Sequence, residues 1–151
     1  MLKAAIGLDI LSLEEGCHLF LSATLNEKPA RLLVDTGASR TVFDINRAGT
    51  FFEKDEFRRN EELSTGLGTN SMESHYAVAD SLELGILRLK DVTIILLDMA
   101  YVNDSYRLLQ IPEIDGVIGS DLLRKLDGII DFRKRMLSLR YTKRSGLELA
   151  D

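Results

Sequence analysis

The chain has 151 residues, 45% of them hydrophobic and 28% charged, enough to build the core of one globular domain. A net charge of −5 and a pI near 5.1 argue against a nucleic-acid binder, which normally carries a basic face. The most apolar run, residues 92–97, is strand-sized and far short of a membrane span.

Residues 1–15 read as an N-terminal extension, 16–142 as the domain, and 143–151 as a tail that frays. Met1 to Ile10 lacks the apolar core of a secretory signal, and a lone cysteine, Cys17, excludes an intramolecular disulfide. A cytoplasmic location is the resulting expectation. From His18 to Leu25, the residues Leu19, Leu21, Ala23 and Leu25 alternate with His18, Phe20, Ser22 and Thr24, the period of a β-strand. Cys17 shares the Leu19 side and is expected to be buried. Asn26-Glu27-Lys28-Pro29 is turn chemistry, and residues 30–34 return as a second strand, so the hairpin delivers the chain to Asp35.

Residues 44–62 carry charge and three phenylalanines without a period of two, which fits a short helix or an irregular insertion. The small polar run 64–71 suits a loop tip. Residues 75–84 and 87–97 read as strands, broken at Gly85 and at Lys90-Asp91, and 103–112 as a polar connection. Val117-Ile118 is a further apolar strand ending at Gly119, after which Ser120 or Asp121 caps a helix over 122–126. Residues 128–131 and 136–141 make a last hairpin around Arg133-Lys134-Arg135, a solvated turn. The sum is a mainly β domain with one or two short helices, whose regular turn spacing favours a barrel or a sandwich.

Chemistry concentrates at Leu32-Leu33-Val34-Asp35-Thr36-Gly37-Ala38-Ser39. An acid at the end of an apolar strand lies at the floor of a cleft, and Gly37 lets the backbone approach a ligand or another chain closely. The competing reading is an ordinary Asp-Thr-Gly turn on the surface. Other enzymes that use an aspartate after an apolar strand fit poorly. Haloacid-dehalogenase phosphatases need an acid where Gly37 stands, and P-type ATPases need lysine where Thr36 stands. Sugar-kinase and actin-like ATPases need far more chain. His18, His75 and Cys17 are too scattered to hold zinc, so neither metal nor cofactor is expected.

Asp115-Gly116-Val117-Ile118-Gly119-Ser120-Asp121-Leu122-Leu123 supplies the second motif. Hydrophobic-hydrophobic-Gly before a short helix, downstream of Asp-Thr-Gly, resembles the retropepsin-like aspartic peptidases. Gly128-Ile129-Ile130-Asp131-Phe132 is similar to the strand that follows that helix in the family. The resemblance implies a closed or partly open acid-protease barrel and a two-fold homodimer that hydrolyses an extended peptide or protein substrate. It makes Asp35, Thr36 and Gly37 catalytic, and Ala38, Ser39, Val117, Ile118 and the flap residues Gly66, Leu67, Gly68 and Thr69 substrate-binding. The alternative within the same resemblance is an inactive dimerisation or peptide-binding module. Retroviral members pair an acid after Asp-Thr-Gly-Ala with an arginine after the second motif. Ser39 and Ser120 occupy those places here, and Arg40 and Asp121, one residue further on, are the expected substitutes.

Overall fold

Alternating apolar side chains need a second sheet surface to hide against, and this chain supplies it by curling one sheet into a barrel. A computed structural model describes residues 1–59 and 74–150. The first strands are β1 (Leu2–Gly7), β2 (Asp9–Leu13), β3 (Gly16–Leu25), β4 (Lys28–Val34) and β5 (Val42–Asp44). Two 3-10 turns, Ala48–Thr50 and Lys54–Glu56, lead to β6 (Arg58–Arg59), in keeping with the irregular stretch expected there. Then come β7 (His75–Leu84), β8 (Leu87–Leu97), helix α1 (Ala100–Leu108), β9 (Gly116–Ile118) and helix α2 (Ser120–Lys125). β10 (Ile129–Asp131), β11 (Met136–Tyr141), a 3-10 turn at Lys143–Ser145 and β12 (Glu148–Leu149) complete the fold.

Strands β8, β5, β9, β4, β3 and β7 are bonded in that order, and β7 pairs with β8 to close the ring. Closure leaves the barrel strands without a free edge. Phe43, Leu25, Leu32, Leu89, Ile94 and Ile118 are fully buried inside it. The β3–β4 hairpin turns on Asn26 and Glu27, both at positive φ (49° and 67°), as a two-residue hairpin loop requires. Asn26 also anchors this corner, donating to Phe51 O (2.9 Å) and accepting from Asp80 N (2.8 Å).

Several expectations give way to tertiary packing. Residues 1–15 are built into the sheets: β1 pairs with β11, and β2 with β3. The C-terminal segment is likewise tied down, because β12 pairs with β8 and Ala150 N donates to Arg88 O at 2.8 Å. Lys90-Asp91 kinks β8 at Asp91 (φ 53°) without ending it. The polar connection is largely helix α1, whose Asn103 and Tyr106 are buried. Helix α2 begins at Ser120 behind Gly119, with no side-chain cap. Cys17 is exposed, because β3 reaches past the barrel there and pairs only with β2.

Glycines 116 and 119 mark where backbones meet. A Cβ on Gly116 would lie 2.4 Å from Val42 O, and one on Gly119 would lie 2.6 Å from Arg40 O. Gly116→Ala or Gly119→Ala should therefore cost on the order of 3 kcal/mol, read as a Tm about 10 °C lower. Gly49→Ala, with nothing within 4 Å of its Cβ, is the control and should change stability by less than about 0.5 kcal/mol.

Candidate active site

Asp35 stands one residue beyond β4, where the parallel pairing of Leu33 with Val117 and Val34 with Ile118 runs out. Its backbone N–H donates to Ile118 O (3.0 Å), so the strand register carries on into the turn. Gly37 N donates to Asp35 Oδ1 at 2.9 Å, and Ala38 N to Asp35 O at 3.2 Å. A side chain at position 37 would crowd that carboxylate, since an added Cβ would sit 3.3 Å from Oδ1. The Asp35 carboxylate is half-buried, while Thr36 and Gly37 are exposed.

The start of α2 braces the turn from below. Ser120 donates to Ala38 O twice, from its backbone N (2.7 Å) and from its hydroxyl (2.9 Å). Buried Thr41 links the two motifs. Its hydroxyl donates to Asp121 Oδ1 (2.8 Å) and accepts from Gly119 N (3.1 Å), while its own N–H donates to Asp121 Oδ2 (3.0 Å). Arg40 Nε lies 3.9 Å from Asp121 Oδ2 with its side chain about half exposed. Of the expected substitute pair, then, Asp121 is in place, but it is held chiefly by Thr41. Sequence reasoning missed Thr41, although its position two residues after the first motif was the available signal.

Other site residues are distributed unevenly. Ala38 is half-buried and Ser39 exposed, while Val117 and Ile118 are buried. Ile118 belongs to the main core and meets the turn through its carbonyl, whereas Val117 joins a second apolar cluster beneath α1. Gly66, Leu67, Gly68 and Thr69 lie outside the described residues. Asp115 is committed elsewhere: it accepts from Arg31 N (2.9 Å) and from Arg47 Nε (2.8 Å), the latter bond raising the pKa of Arg47.

Beside Asp35 and Thr36 opens a cavity of about 580 Å³, walled also by His18, Leu33, Ile130 and Phe132. His18 Nδ1 and the Tyr106 hydroxyl are 2.8 Å apart. Burial pushes the Tyr106 phenol up from its ordinary pKa, Arg31 opposes this, and the charge of Asp35 adds to it. Sequence reasoning assigned no site role to this pair. Among the described residues no group of three or more His, Cys, Asp or Glu side chains could hold a metal ion, and no helix is long and apolar enough to cross a membrane.

Comparison with known proteins places this geometry. The family model for aspartyl proteases matches residues 21–122, a span that contains both motifs. No curated protein matches the sequence. Among solved structures, a retropepsin-like aspartic protease from Rickettsia conorii superposes with a TM-score of 0.55 at 17% identity, covering 100% of this chain and 99% of that one. The retroviral protease-like domain of Ddi1 from Leishmania major gives 0.59 at 14% identity, with 89% and 94% covered. EIAV protease, solved with an inhibitor, gives 0.50 at 16% identity, with 76% and 92% covered. At these identities the likeness is one of fold: a retropepsin-like barrel.

The brace makes a ranking that denaturation can check. Thr41→Val leaves the buried Gly119 N–H without its partner and leaves Asp121 Oδ1 with Leu122 N–H alone, a loss of about 1–3 kcal/mol. Arg40→Ala removes only a long, half-exposed ion pair and should cost less than about 1 kcal/mol. Urea midpoints at unchanged m-value would read the difference.

Proposed function

The chain belongs to the aspartyl protease family, and from that premise we propose that it is an endopeptidase working as a homodimer. Asp35 of each copy supplies one member of a carboxylate pair, which hydrolyses a bond in an extended polypeptide. The observation that carries this reading is that the fold offers one Asp-Thr-Gly turn with Thr36 and Gly37 exposed. The acids of the second motif are already committed: Asp115 is bonded to Arg31 and Arg47, and Asp121 to Thr41 and Leu122 N–H. A second carboxylate has to come from a symmetric partner.

Two carboxylates about 3 Å apart cannot both ionise, so the pair shares one proton and titrates as a unit. The ionised member takes a proton from a water whose oxygen attacks the scissile carbonyl carbon, while the protonated member donates to the carbonyl oxygen. Collapse of the tetrahedral intermediate breaks the C–N bond, and the amine leaves with a proton from the pair. Gly37 N–H, donating to Asp35 Oδ1, orients the carboxylate for both roles.

Among the described residues, β10 is one of the two edge strands of the three-stranded sheet β1-β11-β10. Ile129 is 64% and Phe132 60% exposed, and Phe132 shares the cavity wall with Thr36. An uncovered apolar edge next to the turn that must meet its copy supports β10 as part of the dimer contact.

Cleavage of a diverse peptide library should vanish in Asp35→Asn, a loss of at least about a thousandfold. Activity per protomer should fall on dilution together with the dimer fraction measured by ultracentrifugation. The double variant Ile129→Lys with Phe132→Asp should remain folded, become monomeric and lose cleavage. Retained cleavage in Asp35→Asn would defeat the assignment.

A further inference from the structure

The barrel face next to Asp35 is covered by the chain itself. Phe20, Leu33, Ala38 and Val117, which flank the turn in space, form an apolar cluster separate from the main core. Tyr106 of α1 packs into that cluster and is 3% exposed. Its ring meets Phe20 edge-on (centroids 5.6 Å apart, 71° between planes) and His18 edge-on (5.7 Å, 75°). Its hydroxyl is bonded to His18 Nδ1, and His18 lines the same cavity as Asp35.

Helix α1 is also fastened at its root. Asn103 Nδ2 donates to Asp44 Oδ2 (3.1 Å) and to Ile114 O (3.0 Å), and Asn103 Oδ1 accepts from Ile114 N (2.8 Å). Met99 N donates to Asp44 Oδ1 at 3.1 Å. All four bonds are buried, so moving α1 away would leave several polar groups unpaired at once.

We propose that Tyr106 is a specificity-determining residue: its ring fills the apolar subsite flanking Asp35, and a peptide must present a small residue, glycine or alanine, at that place. The inference rests on the reading of the protein as an Asp35-dependent peptidase. Close packing makes the restriction sharp, because a larger side chain has to displace a ring held by two aromatic neighbours and a hydrogen bond. Pockets of this kind discriminate about tenfold or more per added methylene.

The test is the residue preference on either side of the cleaved bond, measured with a peptide library on the full-length dimer. Wild type should favour glycine or alanine over leucine or phenylalanine at one of the two positions by at least about tenfold. Tyr106→Leu and Tyr106→Ala should move that preference to large apolar residues, while Tyr106→Phe, which keeps the ring, should not. Thermal melts identify any variant that fails to fold, and Tyr106→Leu keeps apolar bulk in the cluster should alanine be too severe. Equal acceptance of large residues on both sides by wild type, or an unmoved preference in a folded Tyr106→Leu, overturns the proposal. Calorimetric binding of alanine- and leucine-containing peptides to Asp35→Asn reads the same subsite without turnover. A preference for the alanine peptide there, alongside no cleavage by wild type, supports the subsite while defeating the peptidase reading. Binding of neither peptide overturns the subsite.

Discussion

The strap between residues 35–41 and 118–121 is the constraint on which the site depends. Asp35 N–H reaches Ile118 O, Ser120 reaches Ala38 O twice, and Thr41 grips both Asp121 and Gly119 N–H. A turn carrying a reactive carboxylate is stiff only if its own backbone groups are bonded to something that cannot move. Here that support is a strand end and the first turn of a helix, both rooted in the core through Ile118, Leu122 and Leu123. Gly119 permits the approach, since any Cβ there would strike two carbonyl oxygens. The proposed two-fold pairing presents the carboxylate from this fixed frame.

Apolar residues divide between the barrel interior and the smaller cluster beneath α1. The division explains why β3 buries both of its faces: Leu19, Leu21 and Leu25 enter the main core, and Phe20 joins the cluster below α1. Asp44 couples α1 to the barrel. It is 2% exposed and accepts from Asn46, Met99 N and Asn103. A carboxylate so deeply buried costs free energy unless its oxygens are bonded. In the proposed reading, that helix also limits how much of the barrel face beside Asp35 a substrate can use.

The motif turn, the hairpin before it, the Val-Ile-Gly strand, the short helix after it and the β7–β8 pair were legible in the sequence, because local pattern and turn chemistry set them. Helix α1 was not. Its run Ala100–Leu108 holds Asn103, Asp104 and Ser105, weak helix formers, and its burial comes from Asn103 and Tyr106 rather than from an apolar stripe. Cys17 misled because alternation shows which side a residue takes, and not whether anything covers that side. Residues 1–15 and the last residues of the chain look dispensable in sequence, yet find strand partners in β11, β3 and β8.

By itself the sequence determined the mainly β class and the acid on its strand-end turn, since these follow from alternation and glycine placement, while two ordered motifs carried the resemblance that implied the barrel. Tertiary structure alone decided what holds that acid and what walls it in. The bonds from Thr41 to Asp121, from Tyr106 to His18 and from Asn103 to Asp44 join positions far apart in the chain. Their energy exists only once closure of the barrel has brought those strands together, and no short-range pattern encodes it.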